Sequence, residues 1–399
     1  MAGPFNWLAQ ILSIAVFNLR TLPQRVGSSL TAIFGIAGVV AVMVGVLSIA
    51  QGIMRTMERS ASPENVVVLR SGANSEMMSI LMGDDVRFVS EAPGVAREDG
   101  DALASPELYV IIDRVKKGSG TDANVPLRGI TPPALEVHKD FRILEGRMFE
   151  WGLNEVVVGV GARGEFEGLE VGDVIEVARE NWPVVGVFDA NGGIAEAEIW
   201  VDAAVLQPAY QRGNSFQSVY ARLESPDAFQ AFKDALTSDP RLNVKAMREA
   251  DYYAEQSGTL YTLITTLGTL IAVIMGLGAV FGALNTMYTA VASRAREIAT
   301  LRALGFHSGP VVVSVLLESV LLALLGGVIG ALLAWWAFDG FSAATLNWSS
   351  FSQLTFAFDV SFALLVNGIV FALIIGLVGG LFPALRAARM PIANALREQ

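Results

Sequence analysis

The sequence has no cysteine, two histidines and five lysines, and these scarcities remove whole classes of chemistry. Without cysteine there is no disulfide framework and no thiolate metal site, and the redox compartment cannot be read. His138 and His307 lie too far apart in sequence to suggest a metal cluster. The lysines, Lys116, Lys117, Lys139, Lys233 and Lys245, all fall in one charged region and none has a Walker A context, so this sequence does not hydrolyse ATP alone. No Gly-x-Ser-x-Gly elbow or zinc motif supports a membrane-anchored hydrolase, and His138 beside Asp140 reads as a surface loop pair. Asn191-Gly-Gly193 is not followed by Lys-Ser or Lys-Thr, so it reads as a hairpin turn rather than a phosphate loop. No catalytic, cofactor-binding or metal-binding residue is assigned.

Charge is also missing, over stretches long enough to matter. Mean hydropathy is +0.49, with 53% hydrophobic and 17% charged residues, too apolar for an ordinary soluble protein. Residues 28–54 carry no charge and as a helix reach roughly 40 Å, enough to cross a bilayer. Residues 256–293 are also uncharged and would make about 57 Å of helix, a span with a stalk. Residues 310–338, interrupted only by Glu318, and residues 361–385 read as the third and fourth spans. Residues 1–27 lack a signal-peptide pattern and read as an amphipathic interfacial helix with Trp7 as anchor.

Between the first two spans, residues 55–255 hold 34 acidic and 20 basic residues, a formal balance of −14 that argues against nucleic acid as partner. The texture is α/β. Strands are expected at 65–69, 109–112, 155–159, 174–177 and 184–187, and helices near 84–91 and 225–236, where Ser225-Pro226 gives an N-cap and a first-turn proline. The fold class is thus membrane α-helical, four transmembrane helices plus an N-terminal interfacial helix, with a large α/β extracytoplasmic domain inserted between helices 1 and 2.

Charge sets the topology. Arg20, Arg25, Arg294, Arg296, Arg302, Arg386, Arg389 and Arg397 fall on one side, whereas the loop 339–360 carries Asp339 and Asp359 and no basic residue. By the positive-inside rule both termini, the loop 294–309 and the tail 386–399 are cytoplasmic, and residues 55–255 lie outside.

In the loop 294–309, Ala295, Ile298 and Leu301 recur every three residues, Leu304 continues the stripe, Arg294, Arg296, Glu297 and Arg302 take other faces, and Gly305 is a helix stop. It reads either as a solvated turn obeying the charge rule or as a helix docking its apolar stripe into a groove on a cytoplasmic partner. Small residues spaced by four recur in the spans: Ala37, Ala41 and Gly45; Gly278 and Gly282; Gly326 and Gly330; Gly376 and Gly380. Such faces allow close helix approach. They serve either packing within the chain or a dimer, for which the first two helices are the candidates. Glu318, the one carboxylate well inside a span, reads as a satisfied polar contact or as a proton-coupling group.

The run Arg296-Glu-Ile-Ala-Thr-Leu-Arg-Ala-Leu-Gly305, followed by Leu316-Leu-Glu-Ser-Val-Leu-Leu-Ala-Leu-Leu-Gly-Gly327, resembles the signature of the FtsX-like permease domain. The ending from Phe382-Pro-Ala-Leu-Arg to Ala395-Leu-Arg397 resembles that family's closing motif, and Gly146-Arg-Met-Phe149, Val156-Val-Val-Gly159 and Val184-Val-Gly-Val-Phe188 are similar to the MacB-type periplasmic core. The resemblance implies a mechanotransmission (type VII) ABC transporter permease in a bacterial inner membrane. It implies two copies of a separate cytoplasmic ATPase that binds ATP and magnesium, with residues 294–305 as coupling helix. It also implies a dimer, homodimer rather than heterodimer, in contact with membrane lipids, and admits a periplasmic adaptor (membrane fusion protein). The expected work is export or extraction of hydrophobic, lipid-linked or peptide cargo. The alternatives are an FtsX-type signalling module regulating a periplasmic cell-wall hydrolase, or a lipoprotein-release permease.

Overall fold

A computed structural model describes residues 26–138, 140–347 and 352–391. The expected interfacial helix within 1–27, Arg397 and most of the C-terminal tail lie outside the described residues. Two compact units emerge: a helical unit made of residues up to Gln51 with Thr262–Phe341 and Phe358 onward, and an α/β head made of Gly52–Tyr261 with Ser342–Ala357.

Four helices of the helical unit are long and apolar enough to cross a membrane. They are Val26–Ser60, Glu249–Ser293, Ser308–Phe338 and Phe362–Arg389. The first, second and fourth outrun the uncharged segments read from sequence, because charged residues end hydrocarbon solubility without ending helical hydrogen bonding. The second helix starts at Glu249, seven residues early, and at 45 residues is about 68 Å long.

Glycine decides how these helices meet. A Cβ at Gly330 would strike the Ala37 carbonyl, one at Gly326 the Ile33 carbonyl, and one at Gly45 the Phe338 ring. The third and fourth helices approach in the same way, Gly376 against Ala323 and Gly380 against Ser319, whose hydroxyl donates to the Gly376 carbonyl at 2.7 Å. In lipid such close packing replaces the hydrophobic drive. The small residues of the first helix therefore serve this chain's own bundle. Ala37 is buried, Ala41 packs beside the same cluster, and Gly45 faces the Phe338 ring. Gly278 and Gly282 differ: nothing lies within 4 Å of a Cβ at either, and Leu270, Ile274, Leu277 and Phe281 around them are exposed.

The head is built on a ten-stranded mixed sheet. Its order runs Val244–Arg248, Asn65–Arg70, Ser218–Arg222, Ala104–Val115, Asp122–Ile130, Ile199–Asp202, Val156–Gly159, Glu180–Asp189, Arg142–Gly146, with Val174–Val177 beside Glu180–Asp189. All five expected strands are present, but Ala104–Val115 and Glu180–Asp189 are much longer than their apolar centres. Their polar outer residues stay in the ladder because paired neighbours supply the hydrogen bonds. Phe232 and Leu236 of helix Phe229–Ser238 cover one end of the sheet with Val66, Val68 and Val219. The other end is filled around Trp182, Leu127 and Val158.

One expectation about turns fails in the head. Asn191-Gly-Gly193 is not a hairpin turn: the strands it separates do not pair with each other, and it leads into a short 3₁₀ turn, Ile194–Ala197. Within the loop 339–360, Ser342–Asn347 and Ser352–Ala357 form an antiparallel pair. At Gly146 the backbone takes φ +73° and a Cβ would collide with the Val185 carbonyl, so the glycine permits that sheet edge to close.

Candidate coupling site

The second long helix stops at Ser293, and a separate short helix, Ala295–Ala303, follows before the third begins at Ser308. Its end is a Schellman motif: Phe306 N–H donates to the Leu301 carbonyl and Gly305 N–H to the Arg302 carbonyl, each at 3.1 Å, with Gly305 at φ +99°. Phe306 and Leu301 pack into one cluster with Ile298, Val311, Val315 and Ala387. Of the expected apolar stripe, Ile298 and Leu301 are covered by the chain's own helices, while Leu304 stays exposed.

The junction is held by charge. Arg294 is 4% exposed and Glu318 6%, and they form a two-pronged pair, Nη1 to Oε2 at 3.0 Å and Nη2 to Oε1 at 3.1 Å. Arg302 donates to the Met390 carbonyl at 2.5 Å, tying the short helix to the end of the fourth. With Arg294 and Ile298 buried and Leu301 and Arg302 half-buried, the outward face consists of Arg296, Glu297, Thr300, Ala303 and Leu304, and Leu304 is 73% exposed. These positions recur at helical spacing and make one continuous strip. It is a rigidly mounted, mixed-charge face with one large apolar side chain.

The family models agree with this layout. A MacB-like periplasmic core domain matches residues 29–239, and an FtsX-like permease C-terminal domain matches residues 269–392. The chain belongs to the MacB-type, FtsX-like ABC transporter permeases. It is 25% identical to the "Uncharacterized ABC transporter permease YknZ" of Bacillus subtilis over 94% of this chain and 96% of that one. It is 24% identical to the "Macrolide export ATP-binding/permease protein MacB" of Bdellovibrio bacteriovorus, spanning 95% of this chain and 61% of that longer one. It is also 22% identical to the "Uncharacterized ABC transporter permease MJ1507" of Methanocaldococcus jannaschii, over 96% and 97% of the two chains.

Of the permease's sequence-predicted residues, the structure brings Arg294 and Glu318 together, a pairing the sequence left open because they are 24 positions apart on different helices. The pair supports the reading of Glu318 as a satisfied polar contact. Removing one partner of a buried pair costs about 3–5 kcal/mol, because the other charge is stranded. Arg294→Met is expected to lower the melting temperature of the purified permease markedly, and Arg294→Met with Glu318→Leu to restore most of it. If Glu318→Gln instead left stability intact and removed a pH dependence of transport, the proton-coupling reading would replace this one.

Sequence reasoning missed a second cluster, in the head. Arg128, buried, takes Glu76, Glu107 and Glu198 at once, with five nitrogen-to-oxygen contacts between 2.7 and 3.0 Å. Its guanidinium lies 5.1 and 5.4 Å from the Tyr109 and Tyr220 ring centres. His138 is not the surface loop residue expected: its Nε2 is 3.0 Å from Glu107 Oε1, and its ring lies 5.2 Å from Tyr220 and 5.5 Å from Trp200. Burial pushes the Glu107 carboxyl up, but His138 and Arg128 outweigh it and hold it below the ordinary value. A signal existed for Arg128, which interrupts the apolar run of strand Asp122–Ile130.

Proposed function

We propose that the permease converts ATP binding and hydrolysis by a separate cytoplasmic ATPase into movement of its head. The observation that carries this reading is the outward strip Arg296–Leu304, mounted on the bundle by the Arg294–Glu318 pair and the Arg302 contact. A helix fixed to its own bundle on one face and open on the other passes on a push instead of absorbing it. The second long helix supports the same reading, because Glu249–Tyr261 belong to the head and Thr262–Ser293 to the helical unit without a break in the helix.

The charge asymmetry supports an orientation with the strip and the arginines Arg386 and Arg389 in the cytoplasm and the acidic head outside, across a bacterial inner membrane. The working unit is a dimer of this chain with two ATPases, and the unfilled face around Gly278 supports the second helix as its contact. By likeness to a relative named for macrolide export, the cargo class is hydrophobic, lipid-linked or peptide material handled at the outer face.

The test is extraction of the tagged permease from its native membrane in mild detergent. An ABC ATPase should co-purify, and permease should stimulate its ATP turnover. A monomer that retains no ATPase would reject the proposal.

A further inference from the structure

A cavity of about 350 Å³ lies in the head beside the end of the first helix, and the coupling mechanism above makes no use of it. Two glycines let the helix end come this close. Ser60 Oγ donates to the Thr56 carbonyl at 2.8 Å and accepts from Ile194 N–H at 2.6 Å. A Cβ at Gly193 would lie 3.0 Å from Ser60 Oγ, and one at Gly192, where φ is +75°, would lie 3.1 Å from Arg59 Nη1. The turn is thus a seat for Arg59 and Ser60. Its amides are spent within the protein: Gly192 N–H on Glu196 Oε1 at 2.6 Å, Gly193 N–H on the Ala190 carbonyl at 2.9 Å and Ile194 N–H on Ser60. Recognition of a charged ligand therefore falls to side chains.

Two arginines of the cavity wall have donors to spare. Arg59 is exposed and makes no hydrogen bond or ion pair with the described residues. Arg222 is only 5% exposed; its Nη1 donates to the Glu136 carbonyl at 2.6 Å and its Nε lies 3.4 Å from Glu64 Oε2. Its Nη2 has no partner among the described residues. The Tyr220 hydroxyl and Asn65 Oδ1, both buried in the same wall, have no hydrogen-bond partner either. Buried polar groups left unpaired are costly, and several of them around one cavity of this size are the mark of a binding site.

We propose that this cavity binds a small amphipathic carboxylate, its acid group held by Arg59 and Arg222 and its apolar body lying against Phe141 and Ile194. The site is contained in the head and does not depend on the mechanical reading.

The ligand class follows from which charges are already answered. Glu198 accepts from Arg128 and from Trp200 Nε1, and Glu64 faces Arg222, so these carboxylates are engaged. Asp140 stands exposed at the rim. The free guanidinium donors suit a planar carboxylate, whereas a doubly charged phosphate would meet Glu64 and Asp140 at greater cost. Phe141 stacks on Trp200 with ring centres 5.1 Å apart and planes 8° from parallel, which gives the apolar body a flat wall. Asn65 Oδ1 accepts an N–H or O–H, so the acid carries a donor as well.

The experiment is calorimetric titration of the full-length permease in nanodiscs. The probes are N-acetylphenylalanine, its amide, and phenylalanine amide, which share one apolar body and are anionic, neutral and cationic. The acid should bind saturably, about tenfold or more tighter than either of the others. Arg59→Gln breaks no contact of the head, so it should weaken the acid about tenfold and leave the melting temperature unchanged. Ala195→Trp, which fills the cavity from its half-buried wall, should abolish binding. Absence of saturable binding by the acid, equal or tighter binding of the amide or the amine, or unchanged affinity in Arg59→Gln overturns the assignment. So does full binding by a folded Ala195→Trp permease, and if that variant fails to fold, Arg59→Gln decides alone.

Discussion

Replacing Arg296 and Leu304 together, as Arg296→Glu with Leu304→Asp, is expected to abolish ATP-driven transport while the permease still inserts, folds and melts at its usual temperature. Both side chains lie on the outward strip of helix Ala295–Ala303 and its cap, with Leu304 73% exposed. Substitutions at such positions usually change stability by less than about 0.5 kcal/mol. At the centre of a docking surface each anchor removed costs about 2 kcal/mol or more, roughly a thirtyfold loss of affinity. The measurements are ATPase retention on the purified permease and transport in vesicles. Leu301 and Arg302 are poorer targets, since the one packs with Phe306 and the other holds the Met390 carbonyl, so their loss would disturb the bundle itself. Full transport by the double variant would remove the strip from the mechanism.

A disulfide across the open face of the second long helix should stop the cycle. The chain has no cysteine, so an introduced thiol reports without background. Ile271, Ile274, Gly278 and Phe281 follow one face, and each is exposed. Replaced singly by cysteine, the positions nearest a two-fold axis should oxidise to a covalent dimer, and that dimer should lose transport until reduced. Cross-linking at none of the four would return this face to lipid. A cross-linked dimer that transports freely would show that the second helices need not move apart.

Much of the architecture was legible because lipid imposes simple demands. A segment such as 256–293, without a charge in thirty-eight residues, has few alternatives to a helix in hydrocarbon. Helix ends were less legible. Glu249 opens the second helix despite its charge, because Ser62 N–H meets its buried carboxylate. The short helix was found by its period and by Gly305, but not the use of its faces. Periodicity says that Ile298 and Leu301 share a side and cannot say whether that side meets a partner or the helix's own neighbours.

The sequence by itself determined the spans, the inserted α/β head and the short helix, since each follows from hydropathy, charge or local turn chemistry along consecutive residues. Tertiary structure alone decided which charges are partners. Arg294 with Glu318, and Arg128 with Glu76, Glu107 and Glu198, come from segments far apart in the chain, and only folding brings them within hydrogen-bonding distance. Burial then makes the pairing obligatory, because a charge taken out of water is tolerated only beside its opposite.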